Sequence, residues 1–298
     1  MVHVRPLSDT LTGTSVELPA GAPIIEVADL ELRFGGTRAI DGVGFSVAQR
    51  ELFAIIGPNG AGKTSIFNCI SGVYRPQRGS IRYLGEDLLG QRPDLIADLG
   101  VSRMFQNIEL FDNLTVLDNL MLGRHQHLHY GALAGMFYRG RAQRAELENR
   151  RIVEDLIDFL GIEKFRKFPV GMLPYGVKKR VELGRALAME PKLLLLDEPV
   201  AGMNVEETED MARFILDIRS ELGLAMIMVE HDMGLVMDLA DRVMVLDFGR
   251  RISLGSPEQV QRDPEVIRAY LGEGDSGPTL EQEAAEAQQL AASEEVTP

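Results

Sequence analysis

Apolar and polar residues alternate from residue 24 to residue 34, a period of two that is typical of a strand with one buried face. We expect the ordered domain to start with this strand. Seven further segments have strand character, and several are unbroken apolar runs of the kind that a parallel sheet buries on both faces. They span residues 43–47, 52–56, 80–83, 101–105, 193–196, 225–229 and 243–246.

Between residues 105 and 193 the apolar positions change to the spacing of helices. They recur at Leu117, Leu120 and Met121, and again at Ile152, Leu156 and Leu160. Thr115 precedes Asp118 by three residues, a variant of the capping box with Asp in the usual place of Glu, so the first helix is expected to begin there. The pattern predicts a helical subdomain, at about residues 107–190, inserted between two strands.

The composition is that of a globular protein, with 45% hydrophobic residues and a formal net charge of −14. The longest largely apolar stretch, residues 222–229, is far shorter than the ~20 residues that cross a bilayer, so a membrane role is expected only through a partner. The acidic charge argues against nucleic acid as a partner, because a nucleic-acid surface needs clustered Lys and Arg. The single cysteine, Cys69, lies on an apolar helical face, which predicts core packing.

Both ends of the chain differ from the middle. Residues 1–23 lack the apolar segment of a secretory signal and contain Pro and Gly, so we predict a flexible N-terminal extension on a protein that stays in the cytoplasm. Residues 274–298 are rich in Ala, Gln and Glu and contain no Lys or Arg, which predicts an acidic disordered tail. The ordered domain is therefore expected at residues 24–273.

A phosphate-binding loop follows the predicted strand 52–56. Its residues are Gly57, Pro58, Asn59, Gly60, Ala61, Gly62, Lys63, Thr64 and Ser65, and they match GxxxxGK[ST] at every required position. Glycines let the backbone wrap closely around phosphates, so that N–H groups and the next helix N-terminus face the negative charge. Lys63 is expected to reach the β and γ phosphates of a nucleotide, and Thr64 to supply an oxygen to Mg²⁺.

Two acids, Asp197 and Glu198, end the apolar run 193–196. Adjacent side chains of a strand point to opposite sides, so the two acids can have different roles. We expect Asp197 to hold Mg²⁺ directly or through water, and Glu198 to polarise the attacking water. Another apolar run, 225–229, precedes His231, which is suited to bind the γ-phosphate and orient the water.

With these motifs in this order, residues 24–273 resemble an ABC-type ATPase. The resemblance implies an α/β P-loop fold with a mainly parallel sheet core, an antiparallel β part and an inserted helical subdomain. It implies that Phe34 stacks on adenine. It also implies that Gln106 is the Q-loop glutamine, which takes part in catalysis and links Mg²⁺ to the helical subdomain. ATP and Mg²⁺ are the implied cofactors.

The resemblance further implies that two chains close over two ATP molecules, so a second ATPase subunit is needed, either another copy or a sister chain. Residues 173–177 occupy the place of the LSGGQ signature, and Tyr175 and Gly176 would face the ATP held by the partner. Asn204, in the D-loop, would do the same. The sequence departs from the family pattern here: Pro174 replaces the signature serine, Tyr175 replaces its first glycine, and Asn204 replaces an aspartate.

The amino-acid sequences of four segments resemble those of the larger ATPase subunit of branched-chain amino-acid importers. They are residues 105–111, 173–176, 201–204 and 270–273, and the enlarged region 124–144 has the same resemblance. This implies import of branched-chain amino acids or related small polar or amide solutes. The implied partners are two membrane permease subunits and, indirectly, an extracytoplasmic solute-binding protein, with the ATPase peripheral on the cytoplasmic face of the plasma membrane.

Other interpretations remain. One alternative is the ATPase of a lipopolysaccharide-type exporter, whose Q-loop sequence is similar to that of this chain. Another is a soluble ABC ATPase. His125, His127 and His129 alternate, but their helical surroundings argue against a metal site. The apolar residues within 132–138 are either subdomain core or a docking surface for membrane subunits.

Overall fold

The computed structural model describes residues 6–14, 16, 18, 19, 21–127 and 141–271. The strands are β1 (Ile25–Phe34), β2 (Thr37–Val47), β3 (Leu52–Ile56), β4 (Arg78–Tyr83), β5 (Glu86–Asp87), β6 (Val101–Met104), β7 (Leu193–Asp197), β8 (Ala225–Val229), β9 (Arg242–Asp247) and β10 (Arg250–Gly255). The helices are α1 (Leu7–Thr10), α2 (Lys63–Ile70), α3 (Pro93–Asp98), α4 (Val116–Gly123), α5 (Arg141–Phe159), α6 (Tyr175–Ala188), α7 (Val205–Leu222), α8 (Met233–Leu239), α9 (Pro257–Gln261) and α10 (Pro264–Leu271). All eight predicted strands are present.

The larger sheet has six strands in the order β10-β9-β3-β8-β7-β6. From β9 to β6 all pairs are parallel, and β10 pairs with β9 in the antiparallel sense. The unbroken apolar runs form this sheet because their residues are buried on both faces. The smaller sheet is antiparallel, in the order β2-β1-β4-β5. The chain thus has the mixed α/β architecture that the sequence predicted.

Two apolar clusters cover the two faces of the six-stranded sheet. Along β3, Leu52, Ala54 and Ile56 point into one cluster, which they share with helices α4 to α8. Phe53 and Ile55 point the other way, into a cluster with α2 and the antiparallel sheet. These side chains are fully buried, and each contributes roughly 1.5–3 kcal/mol for a residue of Leu or Phe size. The carboxyl ends of the strands remain at the edge, between the two clusters.

The helical insertion lies between β6 and β7, as predicted. The first helix, α4, begins at Val116 and is capped by Thr115, whose hydroxyl accepts a hydrogen bond of 3.1 Å from the Asp118 N–H. Helices α4 and α6 approach closely at Gly123, where an added Cβ would lie 2.5 Å from the Arg185 carbonyl oxygen. The insertion is thereby packed against α6, the helix that returns the chain to the sheet.

The N-terminal segment differs from the prediction of a flexible extension. Leu7 and Leu11 are buried in the core cluster that contains α5 and α7. The Leu7 N–H donates a 2.7 Å hydrogen bond to Glu221, and the Thr10 hydroxyl donates one of 3.1 Å to Asp155. Packing against the domain therefore begins before residue 24, because Leu7 and Leu11, one helical turn apart, pack on an apolar surface of the domain. The sequence of residues 1–23 alone does not show that this surface exists.

Several predictions fall on residues that the structure does not describe. These are the acidic tail 274–298, the apolar residues at 132–138 and His129. Within the described ranges, no helix is both long enough and apolar enough to cross a membrane. Cys69 is buried, and burial raises the pKa of its thiol to about 12, so it packs in the core as predicted.

Candidate active site

The four predicted catalytic residues follow neighbouring strands at one edge of the large sheet. The parallel pairs at this edge are Ile55 with Val229, Val229 with Asp197, and Leu196 with Met104. The carboxyl ends of β3, β8, β7 and β6 therefore lie side by side, where open α/β sheets bind their ligands. Gln106, Glu198 and His231 lie within two residues of the ends of β6, β7 and β8, and Lys63 follows β3 after the phosphate loop.

The phosphate loop connects β3 to α2, and its backbone requires glycine. Gly57 has φ +142°, and a Cβ there would lie 2.0 Å from the Leu246 carbonyl oxygen. Gly62 has φ +104°, and its Cβ would lie 2.3 Å from the Ala39 carbonyl oxygen. The loop is thus held tightly between β9 and β2. Such a loop before a helix N-terminus presents its N–H groups to a phosphate.

The Lys63 side chain is directed into the phosphate loop. Its Nζ donates hydrogen bonds of 2.5 Å to the Gly57 carbonyl oxygen and 2.9 Å to the Pro58 carbonyl oxygen. Only 5% of the residue is exposed, whereas the neighbouring Thr64 is exposed at the helix start. The ammonium group is therefore placed where phosphate oxygens are expected, next to the exposed Thr64.

Asp197 ends β7 and is almost completely buried. Its Oδ2 atom forms an ion pair with Arg103, whose side chain is also buried. Its Oδ1 atom has no hydrogen-bond partner among the described residues. A buried carboxylate oxygen without a partner is costly, and it is the type of ligand that Mg²⁺ or a Mg²⁺-bound water prefers. The residues present therefore fit a Mg²⁺ ion held by Thr64 and Asp197.

Glu198 is at the centre of a three-residue constellation. Its Oε2 atom accepts a 2.6 Å hydrogen bond from the Gln106 amide, and its Oε1 atom lies 2.7 Å from His231 Nε2. These residues are distant in sequence, so the fold brings together three predicted catalytic side chains. Hydrogen bonds to both oxygens fix the orientation of the carboxylate, which is what a group that polarises water needs.

The backbone separates Glu198 from Asp197 in an unexpected way. The sequence pattern predicts both acids on one strand, with their side chains pointing to opposite sides. In the structure β7 ends at Asp197, and Glu198 has φ +48°, a left-handed conformation that is uncommon for a non-glycine residue. The Glu198 N–H bonds to the Val229 carbonyl oxygen at 2.9 Å, which holds this conformation. Backbone strain of this kind is typical of functional positions.

Glu230 supports the constellation from behind. Its carboxylate accepts hydrogen bonds from the His231 N–H, at 3.0 Å, and from the Val200 N–H, at 3.1 Å. Burial raises the pKa of this carboxyl. Glu230 therefore ties the segment that carries His231 to the segment that follows Glu198.

Three charged residues of α6, none of them predicted as site residues from the sequence, bind the backbone of residues 105–109. Lys179 Nζ donates to the Gln106 carbonyl oxygen at 2.8 Å, Glu182 accepts from the Phe105 N–H at 3.3 Å, and Arg185 donates to the Glu109 carbonyl oxygen. Burial lowers the pKa of Lys179 and raises that of Glu182 to about 7. We call this set the Q-loop clamp. The sequence signal that could have identified the clamp is that Lys179, Glu182 and Arg185 recur at every third position, which places all three on one helix face.

The signature and D-loop residues lie close together within one chain. Gly176, in the first turn of α6, leaves room for Glu207, since an added Cβ would lie 2.2 Å from its Oε1 atom. Glu207 and Asn204 form a reciprocal capping box at the start of α7, with bonds of 2.9 and 3.2 Å. The Tyr175 ring lies against Gly202. Asn204 thus has a structural role that its comparison with a D-loop aspartate did not suggest.

Phe34 lies at the end of β1 with about half of its surface exposed. Its ring makes an edge-to-face contact with Tyr74, with centroids 5.1 Å apart. An exposed aromatic face supported from one side is suitable for stacking on a base.

Away from this region, His127 lies 3.1 Å from the Met189 carbonyl oxygen, and the described residues contain no cluster of three or more potential metal-ligating side chains.

Two family models match the chain. One, described as ABC transporter, covers residues 40–201, and the other, described as branched-chain amino acid ATP-binding cassette transporter, covers residues 250–276. The high-affinity branched-chain amino acid transport ATP-binding protein BraF of Pseudomonas aeruginosa is 41% identical over 251 residues, 84% of this chain and 98% of BraF. LivG of Escherichia coli K12, which has the same description, is 38% identical with the same coverage.

Solved structures with this fold are also ATP-binding cassettes. A nucleotide-free cassette of an ABC transporter has a TM-score of 0.73 and 29% identity, covering 85% of this chain and all of that one. A cassette in its ADP conformation gives the same values. The matched region 40–201 includes the phosphate loop, the Q-loop clamp and both acids. The chain therefore belongs to the family of ABC transporter ATP-binding proteins, ATPase cassettes whose members hydrolyse ATP to drive transport.

Proposed function

We propose that this chain is the ATPase subunit of an importer of branched-chain amino acids or of related small polar or amide solutes. The observation that carries the proposal is the similarity to BraF and LivG, which extends over 98% of each of those proteins. The match of residues 250–276 to a branched-chain transporter model supports it independently, because it lies outside the general ATPase motifs.

The proposed hydrolysis uses the residues at the sheet edge. Glu198 polarises the attacking water, with Gln106 and His231 holding its two oxygens. Lys63 stabilises negative charge on the β and γ phosphates, and backbone N–H groups of the residues that follow Pro58 in the loop bind the remaining phosphate oxygens. Thr64, Gln106 and Asp197 hold Mg²⁺, which supplies positive charge to the phosphates when bound. Phe34 stacks on the adenine.

We further propose that two ATPase subunits form one ATP sandwich. Tyr175, Gly176 and Asn204 would then serve the ATP bound by the second subunit, which is another copy or a sister chain. The α6 N-terminus carries Gly176 and supports this role, because helix N-termini attract phosphate. The complete importer adds two permease subunits and, indirectly, an extracytoplasmic solute-binding protein. The ATPase is then peripheral on the cytoplasmic face of the plasma membrane.

A groove between the sheet and the helical insertion is the proposed docking site for a permease. Its exposed apolar residues include Val73, Leu122 and Phe105, with 55%, 42% and 38% of their surface accessible. The groove is also lined by Pro93, Ile96, Ala97, Val101, Ala186 and Met189. A concave apolar surface of this kind fits an amphipathic helix with its apolar face inward. The groove adjoins the Q-loop clamp, so docking there lies next to the ATPase site.

Uptake in cells tests the proposal. We would delete the gene from the source cells, restore it as wild type or Lys63→Ala, and measure uptake of labelled leucine with unlabelled amides, urea and aromatic acids as competitors. We expect uptake to be lost on deletion and rescued only by the wild type. Unchanged uptake of every candidate would contradict the importer proposal and favour another cargo or an exporter, while leaving the ATPase assignment intact.

A further inference from the structure

Arg103, in β6, connects more parts of the site than any sequence motif suggested. Its guanidinium forms the ion pair with Asp197 and donates a 2.7 Å hydrogen bond to the Asn68 side chain of α2. The same group lies over two aromatic rings, 5.4 Å from the centroid of Phe67 and 4.9 Å from that of Phe105. The side chain is only 7% exposed. Arg103 therefore joins the phosphate-loop helix, the acid of β7 and the wall of the docking groove.

This arrangement fixes the Asp197 carboxylate from one side only. Arg103 occupies Oδ2, whereas Oδ1 has no hydrogen-bond partner in the part of the chain that the structure describes. A guanidinium is planar and keeps a fixed geometry, so it determines where the second oxygen points. Residues that orient a metal ligand in this way strongly affect metal affinity although they never contact the metal.

The groove is connected to Asp197 through the same side chain. Phe105 is partly exposed in the groove, its ring packs on the Arg103 guanidinium, and Arg103 itself forms part of the groove lining. Arg103 is therefore the single residue that separates Phe105 from the Asp197 carboxylate, so a displacement of the Phe105 ring can shift that carboxylate through Arg103 alone. The Q-loop clamp binds both the N–H and the carbonyl oxygen of Phe105, which fixes the Phe105 backbone beside Arg103.

We propose that Arg103 is a positioning residue that orients Asp197 for Mg²⁺, and that it makes Mg²⁺-dependent nucleotide binding sensitive to the groove residue Phe105. The proposal rests on the use of Mg²⁺ proposed above. It assigns a role to an arginine that belongs to none of the sequence motifs and that would act through Asp197.

The test measures ADP binding to the full chain by titration calorimetry, with Mg²⁺ or with EDTA. The quantity of interest is the Kd in EDTA divided by the Kd in Mg²⁺. For Arg103→Gln we expect this ratio to fall about 10- to 100-fold, the usual effect of removing a residue that orients a metal ligand, with the Kd in EDTA unchanged. For Phe105→Ala we expect a fall of about 2- to 5-fold, the size of a cation–π contact.

Arg242→Gln is the matched control, because Arg242 also pairs with a buried acid, Glu51, and stacks on a ring, 5.3 Å from the Phe53 centroid. It lies at the amino-terminal end of β9, away from the site, and should leave the ratio unchanged. If Arg103→Gln does not fold, Arg103→Lys replaces it. A smaller fall is expected, because the ammonium group keeps the positive charge beside Asp197 but cannot reproduce the planar geometry of the guanidinium.

The outcomes separate the two proposals. A wild-type ratio near one would contradict the use of Mg²⁺ itself. A clear wild-type ratio that Arg103→Gln and Arg103→Lys both preserve would overturn the role of Arg103, even if the variants are less stable. A fall for Arg103→Gln with none for Phe105→Ala would reject the connection to the groove.

Discussion

The phosphate loop and the region around Glu198 are built in different ways. The loop is a single segment, and its shape depends on the backbone: Gly57 and Gly62 have left-handed φ values and lie against neighbouring carbonyl groups. The constellation of Gln106, Glu198 and His231 depends on side chains from three segments, held in place by buried charged residues. The first region is a local property of the sequence, and the second is a property of the fold.

The comparison predicts that the two regions fail differently. The largest expected effect is on catalysis: Glu198→Gln should reduce steady-state ATP hydrolysis about 10²- to 10⁴-fold, the range for loss of a general base. The amide keeps the size of the side chain but cannot accept a proton. ATP binding should be retained, because the phosphate loop is unchanged. Hydrolysis and equilibrium ATP binding by the same preparation check both statements.

Glu206→Gln is the control for this change. It is the same Glu-to-Gln substitution, made at an exposed residue in the first turn of α7, outside the constellation. Its hydrolysis rate should match the wild type. Normal turnover by Glu198→Gln would show that another group polarises the water, and loss of ATP binding would mean that the two regions are not separable.

A pair of glycine substitutions tests the backbone character of the loop. Gly57→Ala and Gly60→Ala both place a side chain at positive φ, but only at Gly57 would the Cβ meet a carbonyl oxygen, 2.0 Å away. Strain alone should cost Gly60→Ala about 1–2 kcal/mol of unfolding free energy. Strain and overpacking together should cost Gly57→Ala about 2–5 kcal/mol. Urea unfolding of both variants measures the difference, and equal losses would contradict the close contact.

The same contrast explains how much of the molecule the sequence predicted. The parallel strands of the large sheet were found because most of them are apolar runs, and the phosphate loop was found because its motif lies within nine consecutive residues. Strand β10 was missed. The turn before it has positive φ at both Phe248 and Gly249, and a phenylalanine is not a usual residue at the first of these positions.

Side-chain contacts between distant segments were less predictable. Lys179, Glu182 and Arg185 have the three-residue spacing of an exposed charged helix face, yet they are directed at the backbone of residues 105–109. Arg103 was absent from the predicted site because its partners, Asn68 and Asp197, come from two other segments. Patterns along the chain show which face is apolar, but not which charged side chains the fold will bury.

The smallest expected effect concerns the Q-loop clamp and pH. Burial raises the pKa of the Glu182 carboxyl to about 7 from its ordinary value of 4.5, although the positive charges of Lys179 and Arg185 act in the opposite direction. The folded state thus binds the proton more tightly than the unfolded state. The contribution of Glu182 to stability is therefore present below about pH 4.5 and is lost as pH rises through 7, by about 2–3 kcal/mol between pH 5 and pH 8.

Glu182→Gln removes this titration while its carbonyl oxygen can still accept the Phe105 N–H. The unfolding free energy of the variant relative to the wild type should therefore rise by about 2–3 kcal/mol from pH 5 to pH 8. Urea unfolding at the two pH values measures this change, with Glu206→Gln as the exposed control, for which no such rise is expected. A constant difference between Glu182→Gln and the wild type would mean that Glu182 stays ionised in the folded protein, and that Lys179 and Arg185 outweigh its burial.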